Sequence, residues 1–127
     1  MSKILLVEDD QMFRGLLSNV LLQRKHEIIT AVSGQEAIVI SKETKPDLIL
    51  MDVRLPGTSG FEAIASIKAN PDTGKIPIII LSASATLRDK AKGIALGCDA
   101  YLVKPFSFQE LFKVMDSTLE RQCKLMA

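Results

Sequence analysis

The sequence predicts an α/β fold in which one parallel sheet is covered by helices on both faces. Two observations predict it. Short apolar runs alternate with stretches of helical periodicity, the pattern of successive strand-helix units. Polar residues also recur at the C-terminal ends of the runs. Glu8, Asp9 and Asp10 follow Ile4 to Val7, Asp52 follows Leu48 to Met51, Ser82 follows Ile78 to Leu81, and Lys104 follows Tyr101 to Val103. In an open parallel sheet these positions converge on one rim, where loops and helix N-termini face a binding crevice.

Each element has a local reason. After the first run, Phe13, Leu16, Leu17, Val20 and Leu21 repeat at helical spacing and predict a helix with one apolar stripe. Glu27 to Ala31 reads as the second strand. Ser33 with Glu36, Ser59 with Glu62 and Ser107 with Glu110 have the form of capping boxes that open helices, and Thr86 with Asp89 is a weaker fourth case. Lys45-Pro46 ends the second helix, and Asn70-Pro71 with Gly74 ends the third. Leu87, Ala91, Ile94 and Ala95 predict the buried stripe of the fourth helix, with Gly97 as its C-cap. Phe108, Leu111, Phe112, Met115 and Leu119 mark one face of the fifth. Five right-handed units covering both faces require a reversal of strand order, flanked by the first and third strands. Glu8, Asp9, Asp10 and Asp52 then face one another across the crevice.

A chain of 127 residues is one domain by length and can bury a core without staples. Its two cysteines, Cys98 and Cys123, form neither a disulfide framework nor a zinc pattern, which fits a reducing cytoplasm, and Cys98 is expected in the core. Sixteen basic residues against fifteen acidic argue against direct binding of nucleic acid or of an acidic membrane. The start Met1-Ser2-Lys3 leads into a strand without an export signal, and no run approaches a membrane span of about 18 residues. His26, the single histidine, falls before the second strand, far from the rim, which removes histidine-based catalysis.

Clustered carboxylates repel by about 4 kcal/mol per pair at 4 Å and an effective dielectric of 20. Magnesium offsets that cost, because it is a small hard cation that takes oxygen ligands and bridges carboxylates to phosphate. A carboxylate beside it can act as nucleophile and form an aspartyl phosphate, whose oxygens Lys104 and Ser82 would hold. Asp10 reads as a helix cap without chemistry.

With these residues in place, the sequence resembles the receiver domain of two-component response regulators over its whole length. The motifs are Glu8-Asp9, the stretch Asp52-Val53-Arg54-Leu55-Pro56-Gly57, Ser82-Ala83 and Lys104-Pro105-Phe106. The resemblance implies a flavodoxin-like doubly wound sheet of order 2-1-3-4-5. It implies that Asp52 accepts a phosphoryl group from a histidine kinase or phosphotransfer protein. Asp9, Asp52 and the backbone carbonyl of Arg54 would ligate magnesium, with Glu8 acting through water. Lys104 would pair with the acyl phosphate, Ser82 would move to bond it, and Tyr101 stands at the aromatic switch position. Arg54 and Ser84 stand where phosphate lifetime is tuned. Gly57 and Gly60 suit the loop after the phosphoacceptor.

The resulting expectation is a regulatory protein of one receiver domain over residues 1–127, with no output domain, which assists its own phosphotransfer and dephosphorylation. It could equally be a receiver cut from a longer regulator or hybrid kinase. A phosphohydrolase with an aspartate nucleophile would want a second aspartate two residues on, where Arg54 stands. A degenerate receiver should have lost Asp52, Asp9 or Lys104, and a flavin carrier would need a hydroxyl- and glycine-rich loop after the first strand.

Overall fold

The computed structural model describes residues 2–55 and 57–126, with side chains through residue 121. The elements are β1 (Lys3–Val7), α1 (Gln11–Gln23), β2 (Glu27–Ala31), α2 (Gly34–Thr44), β3 (Leu48–Asp52), α3 (Gly60–Ala69), β4 (Ile78–Ser82), α4 (Leu87–Ala95), β5 (Ala100–Val103) and α5 (Phe108–Met126). The strands form one sheet of order β2-β1-β3-β4-β5, and every pairing is parallel. The predicted order and reversal are therefore present, with β1 and β3 adjacent at the sheet centre. Val7 pairs with Met51, Asp52 with Leu81 and Ser82 with Val103, so the strands end level with one another.

The sheet separates two apolar layers. Leu5, Val7, Ile49, Met51, Ile78 and Ile80 face α2, α3 and the α4 side, where Ala37, Ala63, Ile64 and Ile67 meet them. Ile4, Leu6, Leu48, Leu50, Ile79 and Leu81 face α1 and α5, where Leu17, Leu21, Leu111 and Met115 meet them. Alternate side chains of one strand point to opposite faces, so a strand covered on both must be apolar at every position. That is the physical origin of the unbroken apolar runs.

The caps form as the sequence predicts. Ser33, Ser59 and Thr86 accept from the backbone N–H of Glu36, Glu62 and Asp89, and Ser107 accepts from Glu110. Asp10 caps α1 by accepting from the N–H of Met12. Lys45 ends α2 with positive φ, and Asn70 ends α3.

Two predicted stripes need correction. Leu16 is half-exposed; the α1 residues that reach the core are Leu17 and Leu21, with Phe13 beside them. On α4 the face read as buried points outward, with Leu87 85% and Ile94 69% exposed and Ala91 and Ala95 also exposed. The helix turns Gly93 to the sheet instead, where a Cβ would sit 2.8 Å from Ile80 Cδ1 and 3.3 Å from Tyr101. Close approach selects a glycine, and hydrophobic periodicity does not register a glycine as buried. The C-cap of α4 is Leu96; Gly97 follows it with φ 96°. Cys98 is half-buried at the margin of the core, and the side chain of Cys123 lies outside the described residues.

Candidate functional site

At the C-terminal rim, Glu8, Asp9 and Asp52 each offer a carboxylate oxygen, and these three atoms lie within 4.8 Å of one another. The first two stand where β1 gives way to α1. Glu8 continues the strand pairing through its N–H to Ala31 O, 3.0 Å, and its side chain is buried. Asp9 faces outward and is exposed. Asp10 turns away to cap α1, so it does not join the cluster across the crevice; its own N–H donates to Glu8 Oε2 at 3.1 Å.

Asp52 is the last residue of β3 and is buried. Its Oδ1 accepts from the N–H of Arg54 at 3.0 Å, and the Arg54 side chain is exposed. The loop after it is held down by the N–H of Gly60, which donates to Val53 O at 3.0 Å. A Cβ on Gly60 would collide with the carbonyl of Asp52, so the start of α3 approaches the end of β3 as only glycine permits.

Lys104 closes the site from β5. Its ammonium donates to Glu8 Oε1 at 2.8 Å and to Asp52 Oδ2 at 3.4 Å, and the Lys104-Pro105 peptide bond is cis. One cation thus serves two buried acids. Burial, opposed by the Lys104 hydrogen bond and aided by the nearby Asp52, pushes the Glu8 carboxyl up to about 7. Burial disfavours the Lys104 charge as well, yet the bond to Glu8 and the Asp52 charge hold its pKa above the ordinary lysine value.

Ser82, buried at the end of β4, accepts from the N–H of Ser84 at 3.0 Å. Tyr101 on β5 is partly buried, and its hydroxyl donates to Ser84 O at 3.0 Å. Ser82 and Tyr101 are therefore tied to the two backbone groups of one residue. His26 lies at the opposite end of the sheet, where its Nδ1 accepts from the N–H of Ser2.

Two residues at the site escape sequence reasoning. Arg14 Nη1 donates to Glu8 O at 2.9 Å and Asp9 O at 3.4 Å, so α1 braces the loop that carries both acids. Phe13, read only as part of a stripe, places its ring 4.5 Å from the Lys104 ammonium. Nothing in the spacing of either marks it, because both contacts depend on how α1 docks.

The donor set suits a hard divalent cation: three carboxylates, two of them buried, at the mouth of a crevice. Residues 4–116 match the response regulator receiver domain family. The chain is 38% identical over 119 residues to the phosphate regulon transcriptional regulatory protein PhoB of Rhizobium meliloti, covering 94% of this chain and 52% of that protein. It thus spans about half the length of the first curated relatives it matches. Among solved structures it superposes on the receiver domain of sensor histidine kinase PA1611 from Pseudomonas aeruginosa PAO1, which has magnesium coordinated in its active site cleft. The TM-score is 0.87 at 30% identity, covering 94% of this chain and 98% of that one. Chemotaxis protein CheY4 of Vibrio cholerae gives TM-score 0.87 at 30% identity, covering 93% and 98%.

Proposed function

The chain belongs to the response regulator receiver domain family, and from that premise we propose that Asp52 is the residue on which this phosphorylation-dependent signalling switch takes its phosphoryl group. The observation that carries the assignment is the position of its carboxylate. It lies at the centre of the rim beside Glu8 and Asp9, facing the Lys104 ammonium and clear of any helix-capping duty.

An Asp52 carboxylate oxygen attacks the phosphorus of a phosphohistidine on the partner. The P–O bond forms as the P–N bond breaks, and the imidazole keeps the electron pair and takes a proton from solvent. Asp9, Asp52 and the backbone carbonyl of Arg54 would hold magnesium, with Glu8 acting through a water molecule. When bound, magnesium withdraws charge from the phosphoryl oxygens and orients them. Lys104, freed from Glu8, meets the charge on the phosphoryl group. Ser82 then gives up its bond to Ser84 to reach the same oxygens, and Tyr101 turns with the loop. Arg54 and Ser84 flank the path of an attacking water and set how long the phosphoryl group survives.

On this reading residues 1–127 form a single receiver domain, a regulatory protein that assists its own phosphotransfer and dephosphorylation. No helix among the described residues is long and apolar enough to cross a membrane, and we read the protein as cytoplasmic. Its phosphodonor is a histidine kinase or phosphotransfer protein, which docks over the rim and the outer side of α1, where Met12 is 83% exposed. Incubation with a small-molecule phosphodonor and magnesium should add one base-labile phosphoryl group. Full labelling of Asp52→Asn would overturn the assignment.

A further inference from the structure

We propose that Phe13 is a positioning residue for phosphotransfer, holding the Lys104 ammonium over Asp52 through the face of its ring. The inference rests on the reading of Asp52 and Lys104 given above and deepens it.

Among the described residues, the ammonium meets two carboxylates and one aromatic face: Glu8 Oε1 at 2.8 Å, Asp52 Oδ2 at 3.4 Å and the centroid of the Phe13 ring at 4.5 Å. A cation within about 6 Å of an aromatic centroid is attracted by the negative face of the ring, more strongly where water is scarce. Lys104 is partly buried, with its side chain 24% exposed. The aim of the ring is fixed rather than incidental. Phe106, two residues beyond Lys104, meets Phe13 in a T-shaped contact at 6.2 Å with the planes at 77°. Both rings pack on the apolar layer beneath α1 and α5. The chain segment that carries the lysine therefore also clamps the ring that faces it.

The three neighbours differ in what happens to them during the reaction. Glu8 and Asp52 must turn to other partners, and each is an anion that competes with the incoming phosphoryl group for the same ammonium. The ring carries no charge, ligates no metal and offers no acceptor stronger than a phosphoryl oxygen. It can hold the lysine above the pocket throughout without having to release it. An aliphatic residue would fill the same volume and provide none of that attraction.

A test must separate electrostatics from volume. Replacing Phe13 by mono-, di- and trifluorophenylalanine weakens the negative face stepwise at nearly constant size. Initial labelling rates from a small-molecule phosphodonor at saturating magnesium should fall stepwise, reaching about threefold to tenfold at the trifluoro residue. Phe13→Tyr should keep most of the rate and Phe13→Leu should lose it. In the unlabelled protein, the Lys104 side-chain protons should carry an upfield ring-current shift in the NMR spectrum that disappears in Phe13→Leu. Equal rates across the fluorinated series, with wild-type labelling intact, would overturn the proposal and leave Phe13 a space-filling residue. Absence of the ring-current shift from the wild type would overturn it independently. Failure of the wild type to take any label would overturn the reading of the site itself, and the positioning role with it.

Discussion

The buried Glu8 carboxyl should make the metal-free protein lose stability as pH rises from about 4.5 to about 7, and Glu8→Gln should abolish that loss. The folded state holds this carboxyl at about 7 against an ordinary 4.5, so the unfolded chain gives up its proton first. A raised pKa contributes stability that is complete below 4.5 and disappears as pH climbs through 7. The gap of about 2.5 units corresponds to on the order of 3 kcal/mol, taking roughly 1.4 kcal/mol per unit. Lys104 stays charged over the same window, since its own pKa is held above the ordinary 10.5. The variant keeps an oxygen acceptor for that ammonium and has no proton to lose, and groups remote from Glu8 cancel in the difference.

Urea unfolding in a chelator at pH 5, 6, 7 and 8 measures the effect directly. With a slope of about 1–3 kcal/mol per molar for a small domain, the midpoint of the wild type should drop relative to Glu8→Gln by roughly 1–3 M between pH 5 and 8. Saturating magnesium at pH 8 should restore much of the loss, since a ligand at 100 times its Kd adds about 2.7 kcal/mol to the native state. Parallel pH curves for the two proteins would refute the reasoning, because they would mean that Glu8 ionises in the folded protein as it does in the unfolded chain.

Three further outcomes are expected. In magnesium titrations Asp9→Ala should lose more affinity than Glu8→Ala, and equal affinity of Asp9→Ala and the parent would remove Asp9 from the ligand set. Gly60→Ala should cost about 1–3 kcal/mol or more in chemical denaturation, because its Cβ meets the Asp52 carbonyl, and should slow labelling by displacing Asp52; wild-type values for both would contradict that contact. Ser82→Ala should still take the phosphoryl group but transmit less of it. Coupling of this kind is worth roughly 5- to 150-fold in partner affinity, and an undiminished chemical-shift response at Tyr101 would show that Ser82 is not the relay.

The rim was legible because every signal for it is local. An apolar run followed by a polar residue marks a strand end, and the capping pairs Ser33 with Glu36, Ser59 with Glu62 and Ser107 with Glu110 mark helix starts within four residues of chain. Parallel topology then does the assembly, since it brings every strand end to one edge. What stayed hidden depends on docking. The outward turn of Leu87 and Ile94 follows from the contact of Gly93 with Ile80, a feature of how closely α4 meets the sheet. Likewise Arg14 reaches the Glu8 and Asp9 carbonyls, and Phe13 reaches Lys104, only once α1 lies across the β1 end. The sequence pointed to Lys104 as a phosphoryl partner; its engagement by Glu8 in the resting state was not readable, because no local rule says which acid a rim lysine prefers.

That resting engagement links charge to movement. Three acids share one pocket with one ammonium, so the pocket is self-repelling and its cation is already committed to Glu8 and Asp52. On the proposed function, a phosphoryl group at Asp52 would add close to two negative charges and acceptor oxygens beside Lys104, which already lies 3.4 Å from that carboxylate. Lys104 can respond by shifting between neighbours a few ångströms apart. Movement of Ser82 toward those oxygens would strain the bond it accepts from the Ser84 N–H, and Ser84 also holds the Tyr101 hydroxyl through its carbonyl. A buried N–H that loses its acceptor costs about 1–3 kcal/mol unless the loop rearranges. A rearrangement of the segment between β4 and α4 would avoid that cost, and Tyr101 is tied to that segment. Because α4 approaches the sheet at Gly93, beside Tyr101, that change would arrive where the helix and the sheet touch.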